Sequence, residues 1–356
     1  MKSLEKQIPP GDARAPFSQR TARIKDVARV AGVSTATVSH VINGTKYVTD
    51  VTRQRVLGAI ESCSYYPNAH ARTLASGRSN MIGLLVSDIS NPFFPELIKS
   101  VEAAAFERGY NIILLNTNYD VRRAADYVRR LIELKVAGVA LMTSELDAAL
   151  IDELARKRVN VVFHNLGATG EQMSNIVVDY ATGIEEAVAH LVSLGHRRIA
   201  HVAGPSRFRS AIVRRDAFVA SMARHLPGAP APVFEGDFKF DGGRRAASEI
   251  LAAGELPTAL VVANDMMAFG VMQELRAAGL SVPRDISVVG FDDILLASLT
   301  DPPLTTVCSP RAEIGRRAVE ALMTTIEQPS RAGVEIRIPT FLITRGSTAP
   351  PHKGDA

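Results

Sequence analysis

The sequence predicts an all-α helix-turn-helix headpiece joined to a large α/β body of two doubly wound parallel-sheet lobes. Three observations predict it. From Ile24 to about Tyr66 the apolar spacing is purely helical. After Asn80 short apolar runs alternate with amphipathic helices, the pattern of right-handed βαβ units. Charge is uneven: residues 1–80 carry twelve Lys/Arg against five Asp/Glu, although the 356-residue chain has a formal net charge of only +4. A basic head on a near-neutral body is the footprint of a module that meets phosphate.

Length alone implies two or three domains, and 46% apolar residues can fill a large core. The expected divisions are an arm at 1–22, disordered by its Pro, Gly and charge content, a headpiece at 23–67, and a hinge helix at 68–79. A two-lobed body at 80–347 and a tail at 348–356 complete the chain. Cys63 and Cys308 lie far apart and outside any CxxC pattern, which argues against a disulfide framework or a zinc site. The first residues lack the apolar run of a signal peptide, and no charge-free run is long enough to cross a bilayer. The expectation is a cytoplasmic protein without a membrane partner.

IKDVARVA makes a first helix that Gly32 ends. The following stretch, VSTATVSHVING, is a poor helix former, because seven of its twelve residues are Ser, Thr or Val. Two short helices joined by AGVS have helix-turn-helix spacing. Ala28, Val33 and Val38 let them cross closely, with Ile42 on the same side. Thr35, Ala36, Thr37, Ser39, His40 and Asn43 are then left on the outer face. Small residues permit close approach to a major groove. Hydroxyls at the helix start, Ser34 included, reach phosphates or base edges, and His40 one turn on reaches a base edge. Groove fit accounts for a composition that helix propensity does not. The competing reading is a small interaction or dimerisation bundle.

TDVTRQRVLGAIESC forms the third helix, capped by Thr49 or Asp50. The joint PNAHARTLASGRSN has Ala69, Ala71, Leu74 and Ala75 at helical spacing but is too short to be stable alone, so a flexible linker is its alternative. In the body, MIGLLVSD, NIILLN, VAGVALM, RVNVVFH, RRIAHVAG, TALVVAN and ISVVGFD read as buried strands, in a total of ten to twelve. Ligands are expected where such strands end, in a cleft between lobes.

Several residues fall at those ends. In SNPFF, Asn91 can cap and Pro92 can fill the first helical position, which presents Phe93 and Phe94 beside the cleft; core packing is the alternative for either ring. Ser210 and Arg214, four apart, share a helical face, and an Arg fork suits vicinal hydroxyls, a carboxylate or a phosphate. Such a fork is expected to be removable without loss of the fold, unless it is merely half of a surface salt bridge. Asp292 in GFDD and Asn264 in AND end buried strands, where each could instead cap the next segment. Phe238 is a candidate lid or stacking residue. His190, His196 and His201 do not share a helical face as zinc ligands would, and are expected at the surface or as caps. No GxGxxG after a strand, GxxxxGK[ST] or GxSxG is present, so an enzyme is not expected.

IKDVARVAGVSTATVSHVING, followed by RVLGAIESCSYYPNAHARTLASG, resembles the headpiece of the lactose/galactose-repressor family and lies near its purine-repressor branch. SDISNPFFPEL, GHRRIAHVAGP, EGDFKFDGG, ANDMMAFG and GFDD extend the resemblance over 23–347. The resemblance implies lobes of periplasmic-binding-protein type, a homodimer (a tetramer being possible) on palindromic operator DNA, and a small-molecule effector in place of a cofactor. It implies that paired hinge segments enter the minor groove, where Leu74 wedges between base pairs and Arg72 and Arg78 meet phosphates. Tyr65 completes the DNA-binding set. The aromatics of SNPFF, with Phe208, Ser210, Arg214, Phe238, Asn264 and Asp292, are implied as ligand-binding. Phe208 and Leu166 stand where the purine-binding branch has Arg and Trp, so a sugar or sugar derivative is the expected effector. The rival reading is a cytosolic or exported sugar-binding protein without operator function.

Overall fold

A computed structural model describes residues 22–66, 79–143, 146–166, 169–329 and 331–352. Arg72, Leu74, Arg78 and nearly all of the arm lie outside the described residues. The chain divides into two compact units, Met1–Arg78 and Ser79–Ala356.

The first unit holds α1 (Ile24–Ala31), α2 (Thr35–Asn43) and α3 (Asp50–Ser62). Val27, Ala28 and Ala31 of α1 meet Val38 and Val41 of α2 and Val56 and Ala59 of α3, with Val33, Ile42 and Tyr65 at the margin. These side chains are small, so the helices approach closely. Gly32 ends α1 at φ 63, and a Cβ there would come within 3.0 Å of the Arg55 guanidinium. Arg55 donates to the carbonyls of Ala31 and Gly32, so α3 caps the carboxyl end of α1.

The second unit contains two six-stranded sheets. In the first lobe the order is β11-β5-β4-β3-β1-β2, parallel throughout. It comprises β1 (Met81–Val86), β2 (Asn111–Asn116), β3 (Gly138–Met142), β4 (Val161–His164), β5 (Met173–Asp179) and β11 (Glu335–Pro339). Its helices are α4 (Phe93–Phe106), α5 (Val121–Glu133), α6 (Ala148–Arg156) and α11 (Arg311–Glu327).

In the second lobe the order is β12-β10-β9-β8-β6-β7, parallel except for the antiparallel β10–β12 pair. It comprises β6 (Ile199–Ala203), β7 (Val233–Glu235), β8 (Ala259–Val262), β9 (Ser287–Asp292), β10 (Thr305–Cys308) and β12 (Phe341–Ile343). Its helices are α7 (Tyr180–Ser193), α8 (Arg209–His225), α9 (Phe240–Ala252) and α10 (Asp265–Ala277).

The chain therefore crosses between lobes three times, after β5, after β10 and between β11 and β12. Thr340, buried at the third crossing, donates to the Asp179 carbonyl at 2.6 Å and accepts the Gly183 N–H at 3.1 Å. Its hydroxyl ties two crossings together.

Two expectations are corrected. His196 and His201 are buried, not surface residues, and His190 is half-buried. His196 bridges Thr258 and the Ala349 carbonyl at 2.9 Å each, while His190 meets Thr348 at 3.0 Å. Those bonds, with Ser347 fully buried against Val288, dock the segment expected to leave the body as a tail. His201 stacks on Phe218 with centroids 5.1 Å apart and Nδ1 2.7 Å from the Val261 carbonyl. The strand total of ten to twelve holds among the described residues, where β5, β7, β10, β11 and β12 join the seven read from the sequence.

Candidate functional site

Two sites stand out, one in each unit. On α2 the Ser34 side chain accepts the Thr37 N–H at 3.1 Å, a cap that starts a helix of low intrinsic stability. Gly44 stops it at φ 62. Val38 and Val41 face the core, leaving Ser34, Thr35, Ala36 and Asn43 exposed and Thr37, Ser39 and His40 half-buried. Asn43 donates to Ser39 at 3.1 Å, and His40 Nδ1 lies 2.9 Å from the Thr45 hydroxyl, which fixes the direction of the ring. Tyr65, half-buried, packs against the core beneath them. The outer face is thus short, polar and pre-oriented, suited to a groove.

The second site is a cleft where the strands of both sheets end. The first lobe contributes Ser87, Asn91, Phe93, Phe94, Thr143, His164 and Asn165; the second contributes Tyr180, Ser210, Arg214, Phe238, Asn264 and Asp292. The empty volume is about 620 Å³. Asn91 accepts the Phe93 N–H at 3.0 Å and aims α4 so that Phe93 and Phe94, edge to face at 5.3 Å, form one wall. Both rings are also core residues, so the two readings of them coincide.

Arg214 is the centre of the second-lobe wall. It is only 7% exposed, and its guanidinium lies over Phe291 at 4.2 Å and Tyr180 at 4.4 Å, with Phe238 at 5.8 Å. Nη1 donates to the Ala263 carbonyl at 2.6 Å, and Nη2 lies 3.8 Å from Asp292. Burial raises the Asp292 carboxyl to about 6, against the pull of Arg214 and Arg311. Burial and the charge of Arg214 push His164 down to about 4, so its imidazole is neutral at physiological pH. His164 Nε2 is buried without a hydrogen-bond partner, whereas the Asn165 and Arg214 side chains both reach Tyr180.

Left-handed backbone collects here: Asn165 at φ 59, Phe238 at 64, Asp292 at 113 and Asp293 at 56. Such non-glycine conformations persist only where surroundings hold them, and they concentrate at functional sites. Asn264 caps α10 by accepting the Met267 N–H at 2.9 Å and donates to the Phe238 carbonyl at 2.9 Å. The capping role weighed for it is therefore real, and it also holds the Phe238 turn. Arg311 donates to the carbonyls of Asp292 and Asp293 while reaching Glu96 of the first lobe at 2.8 Å. Asp265, fully buried, accepts from Thr306 at 2.6 Å and from the Ile294 N–H at 2.9 Å. Burial and the Asp292 charge raise its carboxyl well above the usual range.

Phe208 corrects the expectation made for it. It does not line the cleft but stands one ring behind, stacked between Tyr119 at 5.6 Å and Phe238 at 6.4 Å. Sequence reasoning missed His164, Asn165 and Tyr180, along with Ser87, Tyr119, Met142 and Thr143 of the first-lobe wall. His164 and Asn165 end a recognised strand and could have been found by that position; Tyr180 follows a strand that was not recognised. Among the described residues no His, Cys, Asp and Glu group could hold a metal ion, and no helix is long and apolar enough to cross a membrane.

His201 offers a pH test. Burial lowers it to about 4 from 6.5, so the folded state binds fewer protons than the unfolded chain in that window. Its contribution is complete above 6.5 and is lost as pH falls towards 4. Asp292 and Asp265 act with the opposite sign, so a variant isolates the histidine. In urea unfolding at pH 7 and about pH 4.5, His201→Phe should lose less stability on acidification than wild type, by up to about 3 kcal/mol. Equal losses would show that His201 does not titrate in this range.

A two-lobed α/β body with a cleft at its strand ends, attached to a helix-turn-helix head, defines a DNA-binding regulator that answers to a small molecule. Residues 23–68 match the model of bacterial regulatory proteins of the lacI family, and residues 188–348 that of the periplasmic binding protein-like domain. The HTH-type transcriptional repressor PurR of Photobacterium profundum is 38% identical over 304 residues, 85% of this chain and 91% of that protein. The ribose operon repressor of Escherichia coli is 37% identical over 328 residues, covering 92% of this chain and 99% of that protein. A lac repressor dimer bound to operator and the anti-inducer ONPF superposes with a TM-score of 0.81 at 29% identity, over 93% of this chain and 100% of that one. The chain belongs to the lacI family; it is a transcriptional regulator, and these relatives are repressors, not enzymes.

Proposed function

We propose that this protein is a cytoplasmic homodimeric repressor of a palindromic operator, released by a sugar or sugar derivative bound in the cleft. The observation that carries the reading is the buried Arg214–Asp292 pair at the strand ends, facing aromatic walls from the other lobe. Together these present donors, an acceptor and apolar faces, the combination a sugar ring needs. The likeness to the ribose operon repressor supports this class, as does Leu166. Two heads are required because one recognition helix covers only a few base pairs. The exposed Leu295, Leu296 and Leu299 of the body favour a dimer contact there. A ligand changes DNA affinity only through unequal affinity for two lobe arrangements, and the effect is reciprocal. An inducer favours the arrangement that separates the two heads.

Selection from random duplex DNA tests the reading. The full chain should return a two-fold symmetric motif. His40→Ala should relax one position in each half-site, at a cost of about 1–3 kcal/mol per altered contact. Lys25→Ala should instead weaken all sequences alike. An asymmetric motif, or one unchanged by His40→Ala, would contradict the assignment.

A further inference from the structure

We propose that Tyr119 and Phe208 form a latch between the two lobes of the body. It holds the cleft shut at the edge farthest from the three crossings and has to part before anything enters or leaves. The cleft is the one read above as the effector site, but the latch and its test hold for any occupant. Topology places the latch. The crossings use β5 and β11 at one end of the first sheet, and β10 and β12 at one end of the second. At the opposite ends lie β2 and β7. Lobes that part by bending at the crossings move least there and most at the far edge. A side chain that bridges the lobes at that edge resists opening with the longest lever.

Tyr119 is such a side chain. It follows β2, lines the cleft, and is the one first-lobe residue among the described ones that packs against the apolar cluster of the second lobe. Its ring stacks on Phe208 at 5.6 Å with 29° between the planes, and Phe208 stacks in turn on Phe238 at 6.4 Å. Both sides of the contact are held in place. Thr117, fully buried, donates its N–H to the Val86 carbonyl at 2.9 Å, and Asp120 caps α5 by accepting the N–H groups of Arg122 and Arg123. Between these anchors Asn118 and Tyr119 are both left-handed, at φ 53 and 60. Two successive non-glycine residues in that region are costly, and packing of the Tyr119 ring on the other lobe offsets the cost. Phe208 is 3% exposed at the start of α8, and Phe238 rests on Gly204, where a Cβ would meet its ring at 2.2 Å. The stack thus runs from the far edge to the cleft wall, where Phe238 lies 5.8 Å from the Arg214 guanidinium. An occupant that displaces Tyr119 or Phe238 loosens the latch, and one that fits beneath them tightens it.

Thiol access to the cleft tests this in the full chain with both native cysteines replaced, Cys63→Ser and Cys308→Ser. Ser87 is buried in the cleft wall, so the reaction of a Ser87→Cys protein with dithiobis(nitrobenzoate) times the opening of the cleft. Tyr119→Ser and Phe208→Leu should each quicken that reaction about two- to tenfold, the worth of one aromatic pair. Together they should be no faster than either alone, because they remove the same contact. Tyr119→Phe keeps the ring and should react at the reference rate. Ser221→Cys, buried on α8 outside the cleft, is the control and should stay slow throughout. Unchanged access in Tyr119→Ser and Phe208→Leu would overturn the latch, as would factors that multiply in the double variant. So would a rate in Tyr119→Phe equal to that in Tyr119→Ser. An equal quickening at the Ser221→Cys control would mean general loosening of the lobe and would overturn it too. Failure of every sugar to bind would sink the effector reading and leave this result untouched.

Discussion

Arg214→Ala is expected to abolish the response to effector and to lower the stability of the body by about 3–5 kcal/mol. Both effects have one source. The guanidinium is buried against Tyr180 and Phe291 and is paired with an Asp292 carboxyl that is itself only 5% exposed. Removing it strands a buried carboxyl and opens a cavity among aromatic rings. This corrects the expectation that Arg214 is a free fork whose loss spares the fold. Operator binding with and without sugar gives the first effect, and urea unfolding gives the second. The double variant Arg214→Met with Asp292→Asn should recover most of the stability and none of the response, because neither uncompensated charge remains. An Arg214→Ala protein as stable as wild type would mean that the pair is not buried in solution.

Gly270→Ala should destabilise the second lobe by about 3 kcal/mol, even though alanine is the better helix former by about 1 kcal/mol. A Cβ on Gly270 would sit 2.0 Å from the Phe240 carbonyl oxygen, and one on Gly243 would sit 2.0 Å from that of Met267. These glycines let α9 and α10 touch backbone to backbone, so no side-chain rotamer can relieve the clash. The helices must separate, and α10 carries at its start Asn264 and Asp265, which hold the Phe238 and Asp292 turns. Sugar affinity should therefore fall together with the melting temperature. Gly58→Ala on α3 is the contrast: a Cβ there meets nothing within 4 Å, so propensity acts alone. The headpiece should gain roughly 0.4–1 kcal/mol. Thermal melts of the two variants decide whether packing or propensity dominates at each glycine.

Much of the architecture is legible in the residues because its causes are local or periodic. The helical rhythm of 24–66, the Ser34 cap and Gly32 and Gly44 specify the head. Short apolar runs such as MIGLLV and SVVGFD, alternating with amphipathic helices, read as strands covered on both faces. Edge strands escape this reading: β7, β11 and β12 are short and partly exposed, and their pairing depends on neighbours distant in the chain. β5 escapes for another reason, since MSNIVVD buries Ser174 and Asn175 among its apolar residues.

The candidate site divides in the same manner. Phe93, Arg214, Asn264 and Asp292 can be named from sequence because a motif or a strand end announces each. Their relations could not be named. That Arg214 is covered by aromatic rings, that Asn264 holds the turn of Phe238 and that Phe208 stands behind the cleft all depend on residues tens of positions apart. Burial of His196 and His201 is likewise a property of the assembled lobe, since a histidine in a strand reads alike at a surface or in a core. The sequence by itself determined the class of fold, the basic head and the residue types gathered for a polar ligand, because periodicity and charge are written along the chain. Only the tertiary structure decided which of those groups are already satisfied and which are left unpaired for a ligand, because that depends on three crossings that bring the strand ends of two sheets face to face.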